Sequence, residues 1–133
     1  YSYEGLSPKV MGLGPVYAMS TVLKKAAMDL EQMSFVEINE AFAAQVLGCV
    51  QLIESDQFAK NELDRNKAIG RLEYERLNVN GGAIALGHPV GVTGNRLILT
   101  ALKELHRRRE QHALVSLCIG GGQGGAIILE RAS

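Results

Sequence analysis

The chain of 133 residues has no tryptophan, three prolines, only two cysteines and no surplus of either charge. Each shortage removes a class of protein. Two cysteines, Cys49 and Cys118, are too few for a disulfide framework, and neither a CxxC pair nor an HExxH run is present, so no metal site is expected. Unpaired thiols in this number fit a reduced, cytoplasmic compartment. Fourteen basic and fourteen acidic residues cancel, which leaves no whole-chain field to steer the protein onto nucleic acid or an anionic membrane. No apolar run has the length of a membrane span, and no signal peptide is read. The one local charge cluster, KELHRRREQH from Lys103 to His112, is read as a solvated helix end whose cations face the negative pole of the helix dipole. The opening YSYEGLSP lacks an initiator methionine and reads as mid-protein sequence, so the chain is expected to be a piece of a longer one.

Glycine and apolar residues are plentiful: 15 glycines and 47% hydrophobic residues, enough for one domain with a real core. SYEG suggests a short strand before a Gly/Pro loop. Pro15 then suits a first helical position, and Val16, Met19, Leu23, Ala26, Ala27 and Leu30 recur at helical spacing. FVEIN, 35–39, is a strand, and EAFAAQVLGCVQLI, 40–53, is apolar nearly all round and reads as a buried helix. Residues 54–77 are rich in charge and read as a helix tail and a surface excursion. A helix follows from Gly91, then the strand ALVSLCI and the strand GAIILER, a hairpin around GGGQG. The order is βαβαβαββ. It predicts a layered α/β domain with a mixed five-stranded sheet covered by helices, parallel at its centre and antiparallel at its last strand.

Two glycine patterns are misleading. Gly120, Gly122 and Gly125 satisfy GxGxxG, but AIILE continues as a strand, and a dinucleotide needs a helix N-terminus at that point. Gly82 to Gly87 has P-loop spacing, but His88 stands where the lysine is required. More informative are polar residues set at element ends among small or apolar neighbours: Asn39 in FVEINEAF, His88 in ALGHPVG and Cys118 in SLCIGGG. Ligands bind at that edge of open α/β sheets. Each also has a plain reading, as a helix cap, a loop histidine and a small core residue respectively. Cys49, inside an apolar helix, is read as core.

Asn39-Glu40-Ala41-Phe42, the run from Asn78-Val79-Asn80-Gly81-Gly82 to Gly87-His88-Pro89, and Cys118-Ile119-Gly120-Gly121-Gly122 together resemble the three signature segments of thiolases, in the family's order and spacing. PKVMGLGPV resembles the start of the second thiolase half. The resemblance covers essentially all of 1–133, is weakest across 54–77, which looks like a variable surface insertion, and implies a C-terminal thiolase domain whose N-terminal counterpart is absent from this chain. Family chemistry is acyl transfer between coenzyme A thioesters: thiolysis of a 3-ketoacyl-CoA or the reverse Claisen condensation. The resemblance makes Cys118 the acid/base, its thiol tuned toward neutrality, and gives His88 two duties. His88 takes the proton of a nucleophilic cysteine that lies in the absent half, and it donates to the enolate oxygen. Asn39 helps build the same oxyanion site by positioning a water, and the Gly120 N–H serves a second oxyanion hole. Gly81, Gly82, Gly87 and Gly121 lie near the substrate and CoA. No permanently bound cofactor is implied. CoA and acyl-CoA are the small-molecule partners, the N-terminal thiolase domain is the protein partner, and the full-length protein forms homo-oligomers. The chain alone is expected to be inactive. The alternatives are a fragment of another condensing enzyme of the wider superfamily and a non-catalytic interaction module.

Overall fold

The computed structural model describes residues 1–132. Its elements run β1 (Ser2–Gly5), α1 (Gly14–Ala26), β2 (Phe35–Ile38), α2 (Ala43–Ile53), α3 (Asp56–Glu62), α4 (Ala83–Leu86), α5 (Val90–Arg108), β3 (His112–Ile119) and β4 (Gln123–Glu130). The sheet has the order β1-β4-β3-β2. β2 and β3 are parallel, with Phe35 opposite Ala113 and Ile38 opposite Ser116. β3 and β4 form the expected antiparallel hairpin, and β1 pairs antiparallel with β4.

Strand alternation divides the core into two layers. Val36, Ile38 and Leu114 point toward α1 and α2, where Val16, Met19, Leu23, Cys49 and Ile53 complete the larger cluster. Phe35, Ala113 and Val115 point the other way and meet Leu97, Ala101 and Leu105 of α5. The sheet is therefore sandwiched between helices, as the α/β alternation requires.

The fifth strand is absent, and its physical reason is one side chain. Leu77 makes a single parallel bridge to Val36, and the Asn78 backbone N–H donates to the Val36 carbonyl at 2.9 Å. The Asn78 side-chain amide then replaces the next peptide group. Its Oδ1 accepts from the Ile38 N–H at 2.8 Å, and its Nδ2 donates to the Ile38 carbonyl at 2.9 Å. With both β2 groups satisfied by a side chain, no further strand is needed to meet the demand of buried backbone.

Three other expectations change. Pro8–Leu13 forms a 3-10 segment before α1, so α1 begins at Gly14, one residue before the Pro15 that sequence puts first. Residues 54–77 are not a mere surface excursion: α3 is a separate helix capped by the Ser55 side chain, and Ala59, Ile69 and Leu72 are buried. The helix over 40–53 also begins later, at Ala43, and leaves Leu47 54% exposed, so α2 is buried on one side only.

Candidate active site

β2 and β3 end side by side. The Asn39 N–H continues the parallel ladder by donating to the Ser116 carbonyl at 2.9 Å, which places Asn39 just past β2 and Cys118 at the second-last position of β3 on one edge of the sheet. His88 is carried by a separate loop, which Glu40 anchors. The carboxylate of Glu40, the residue after Asn39, accepts from the Ile84 N–H at α4 and from Asn78 Nδ2, both at 3.0 Å. Gly82 lies flush against this carboxylate, and a Cβ there would fall 2.3 Å from the Glu40 carboxyl carbon. The loop that carries His88 is thus pinned to the residue beside Asn39. Gly87, at φ +90°, turns the chain out of α4 in a conformation that side chains rarely adopt.

Asn39 and Cys118 thus lie at neighbouring strand ends, His88 lies on the loop that Glu40 anchors, and among the described residues no side-chain hydrogen bond joins the three. Asn39 is 1% exposed, and neither its amide oxygen nor its amide nitrogen has a partner among the described residues. A buried amide left so is unusual, because such groups are nearly always bonded to protein or water. Glu37 and Arg96, on the α5 side of the sheet, are in the same position: both Glu37 carboxylate oxygens and three Arg96 nitrogens are buried without a partner among the described residues. Burial pushes the Glu37 carboxyl up to about 7, against the opposing pull of Arg96 and with help from Glu40 and Glu104.

Cys118 is buried and its thiol makes no side-chain hydrogen bond among the described residues. Burial raises its pKa, only partly offset by a backbone hydrogen bond. Burial therefore favours the protonated thiol, opposite in direction to the tuning toward neutrality that the resemblance implies. Cys49 is more deeply enclosed. Its Sγ lies 3.3 Å from the Gly12 carbonyl, and burial pushes its thiol up to about 11, which suits the core role read from sequence.

His88 is exposed, and its Nδ1 lies 2.7 Å from Thr93 Oγ1. Gly120 and Gly121 sit in the exposed turn after Cys118, each with open space where a Cβ would be, and Gly81 is exposed in the turn after Asn78. Gly122 and Gly124 serve the fold instead: they pack on the backbones of Leu6 and Gly14. Two surface clefts, of about 540 and 530 Å³, lie elsewhere, beside Arg71 and Tyr74 and between Tyr3 and Ile98. The basic run at the end of α5 is partly neutralised by its own helix, since the buried Glu104 pairs with Arg107 and Arg108.

Sequence reading missed Glu40, Asn78 and Thr93 as residues that build the site. Glu40 and Asn78 were visible only as letters of a motif. Their pairing across 38 positions, and the use of an amide as a surrogate strand, leave no local signal.

A layered α/β half with Asn39 and Cys118 at the ends of its parallel pair of strands is the class that fold and site define. The family description "Thiolase, C-terminal domain" matches residues 1–131, and the chain belongs to that family. It is 45% identical over 120 residues to the 3-ketoacyl-CoA thiolase of Shewanella sp. strain ANA-3, and 46% identical over 120 residues to that of Shewanella baltica strain OS185. Each match covers 90% of this chain but only 28% of the relative. Human mitochondrial 3-ketoacyl-CoA thiolase in complex with CoA has a similar structure, with a TM-score of 0.82 at 44% identity over 98% of this chain and 29% of that chain. Bacillus anthracis acetyl-CoA acetyltransferase gives a TM-score of 0.82 at 40% identity, with the same coverage. No helix among the described residues is long and apolar enough to cross a membrane.

Proposed function

We propose that this chain is the C-terminal catalytic half of a thiolase that transfers acyl groups between CoA thioesters. The observation that carries the reading is the Asn39 amide, buried and unpartnered at the sheet edge it shares with Cys118. An orphaned amide of this kind is a ready site for a fixed water or a substrate oxygen.

In the thiolysis direction the chemistry divides as follows. A cysteine thiol of the N-terminal half gives its proton to His88 and attacks the keto carbon of a 3-ketoacyl-CoA. The Cα–Cβ bond breaks, leaving an acyl-thioester on that cysteine and the enolate of acetyl-CoA. His88 and a water held by Asn39 donate to the enolate oxygen. Cys118, kept as a thiol by burial, delivers its proton to the α-carbon. The thiol of free CoA then attacks the acyl-thioester and gives its proton to the Cys118 sulfur, the protonated His88 returns its proton to the departing cysteine sulfur, and the Gly120 N–H faces the tetrahedral oxyanion. Gly81, Gly82, Gly87 and Gly121 border the channel for the CoA arm, Gly82 through its contact with Glu40. The chain alone has no such nucleophile and requires its N-terminal counterpart. The exposed apolar side chains Phe42, Leu47, Ile84, Leu86, Val90 and Val92 support that need, because a single surface rarely leaves so many unburied without a partner. The complete protein is expected to be a homo-oligomer.

His88→Ala in the full-length protein tests the reading. Both half-reactions, acylation by acyl-CoA and α-proton chemistry on acetyl-CoA, are expected to slow by about 10²–10⁴-fold, the usual worth of a positioned acid/base. Loss of only one half-reaction in stopped-flow and exchange assays contradicts the double duty.

A further inference from the structure

We infer that Thr93 is a positioning residue that holds the ring proton of His88 on Nδ1 and so leaves Nε2 as the atom that exchanges protons with substrate and nucleophile. Thr93 lies in the first turn of α5 and is 0% exposed. Its backbone N–H donates to the Pro89 carbonyl at 3.1 Å, so the hydroxyl is carried on a hydrogen-bonded turn rather than on a mobile loop. Its Oγ1 lies 2.7 Å from His88 Nδ1 and 3.3 Å from the Pro89 carbonyl oxygen. A hydroxyl has one hydrogen and two lone pairs. The Pro89 carbonyl can only accept, and beside the Val92 and Thr93 N–H groups, at 2.7 and 3.1 Å, it takes the hydroxyl hydrogen. The lone pairs then face Nδ1, which must bring the proton to the contact.

The consequence follows from the two nitrogens of a neutral imidazole: with Nδ1 protonated, Nε2 carries the lone pair. Nε2 can therefore take a thiol proton and afterwards return it as an N–H donor. Throughout that cycle the Nδ1–H to Thr93 bond keeps its polarity, because the hydroxyl accepts from both the neutral and the charged ring. The exposed ring thus gains from a buried neighbour the fixed orientation that its own surroundings do not give. Sequence position offers no hint of this, since Thr93 reads as one polar residue in a helix start.

The catalytic part of this inference rests on the thiolase reading, whereas the tautomer does not. Nitrogen-15 NMR of the full-length protein with labelled histidine, the His88 signal assigned with His88→Gln, is expected to show the Nδ1–H tautomer at neutral pH. Thr93→Val is expected to lower kcat by up to about 100-fold with KM little changed, the cost of a misdirected catalytic group, and Thr93→Ser is expected to restore it. An Nε2–H resting tautomer, or a folded Thr93→Val protein with undiminished kcat, overturns the assignment. If Thr93→Val does not fold, the wild-type tautomer and the Thr93→Ser rate still decide it. A wild-type protein without thiolase turnover overturns the functional reading alone, and the tautomer then still judges the role of Thr93.

Discussion

Cys118→Ala in the full-length protein is expected to acylate normally and to lose exchange of the acetyl-CoA methyl protons with solvent. The separation of effects follows from where the thiol stands. Cys118 is buried, and burial favours its protonated thiol. A sulfur in that state does not attack a thioester, but it can give a proton to an adjacent carbanion. Its removal takes away general acid/base assistance to the α-carbon, worth about 10²–10⁴-fold in rate, and leaves the nucleophile of the other half untouched. The loss of one buried sulfur leaves a small cavity, with a stability cost on the scale of about 1 kcal/mol per missing methylene-sized group. Exchange followed by proton NMR in deuterated buffer, beside trapping of the acyl-enzyme, reads both halves of the prediction. Exchange at the wild-type rate removes Cys118 from the chemistry.

The second large effect is structural. Gly124→Ala is expected to destabilise the fold by more than about 3 kcal/mol, at or beyond the upper end of ordinary overpacking. A Cβ at Gly124 would lie 2.0 Å from the Gly14 carbonyl oxygen and 2.2 Å from its carbonyl carbon. Both are backbone atoms at the start of α1 and cannot rotate away. The contact is reciprocal, since a Cβ at Gly14 would fall 2.5 Å from the Gln123 carbonyl oxygen. The neighbouring glycines supply the controls. Gly120→Ala meets nothing within 4 Å and is expected to be close to neutral. Gly121→Ala is equally free of contacts but sits at φ +87°, and costs about 1 kcal/mol of left-handed strain. Urea unfolding should rank Gly120→Ala as the most stable, Gly121→Ala next and Gly124→Ala last. Equal stability of the Gly120 and Gly124 variants contradicts the packing account.

That ranking also shows what could be read from the chain and what could not. CIGGGQGGA signals a need for bare backbone, and the obvious inference is room for a ligand. Gly120 and Gly121 have that room, but Gly122 and Gly124 are bare because Leu6 and Gly14 press on them. Those contacts join residues more than a hundred positions apart, so no window of sequence contains them. The helices α1 and α5, the parallel pair of strands and the final hairpin follow from periodicity and turn residues, which act locally. The missing fifth strand does not, because Asn78 satisfies Ile38 through its side chain and a pattern of apolar residues cannot register that substitution. Asn39, His88 and Cys118 were legible as polar residues at element ends. Glu40, which ties the His88 loop to the Asn39 edge, and Thr93, which faces the imidazole, were not, because their work is done through tertiary hydrogen bonds.

Recombination is the measurement that bears most directly on the central claim. This chain, mixed with the separately produced N-terminal remainder of its own protein, should cleave acetoacetyl-CoA in the presence of CoA, while neither part does so alone. A reconstituted complex that binds its two parts together yet leaves acetoacetyl-CoA intact would contradict the assignment of an acyl-transfer half-site to this fold.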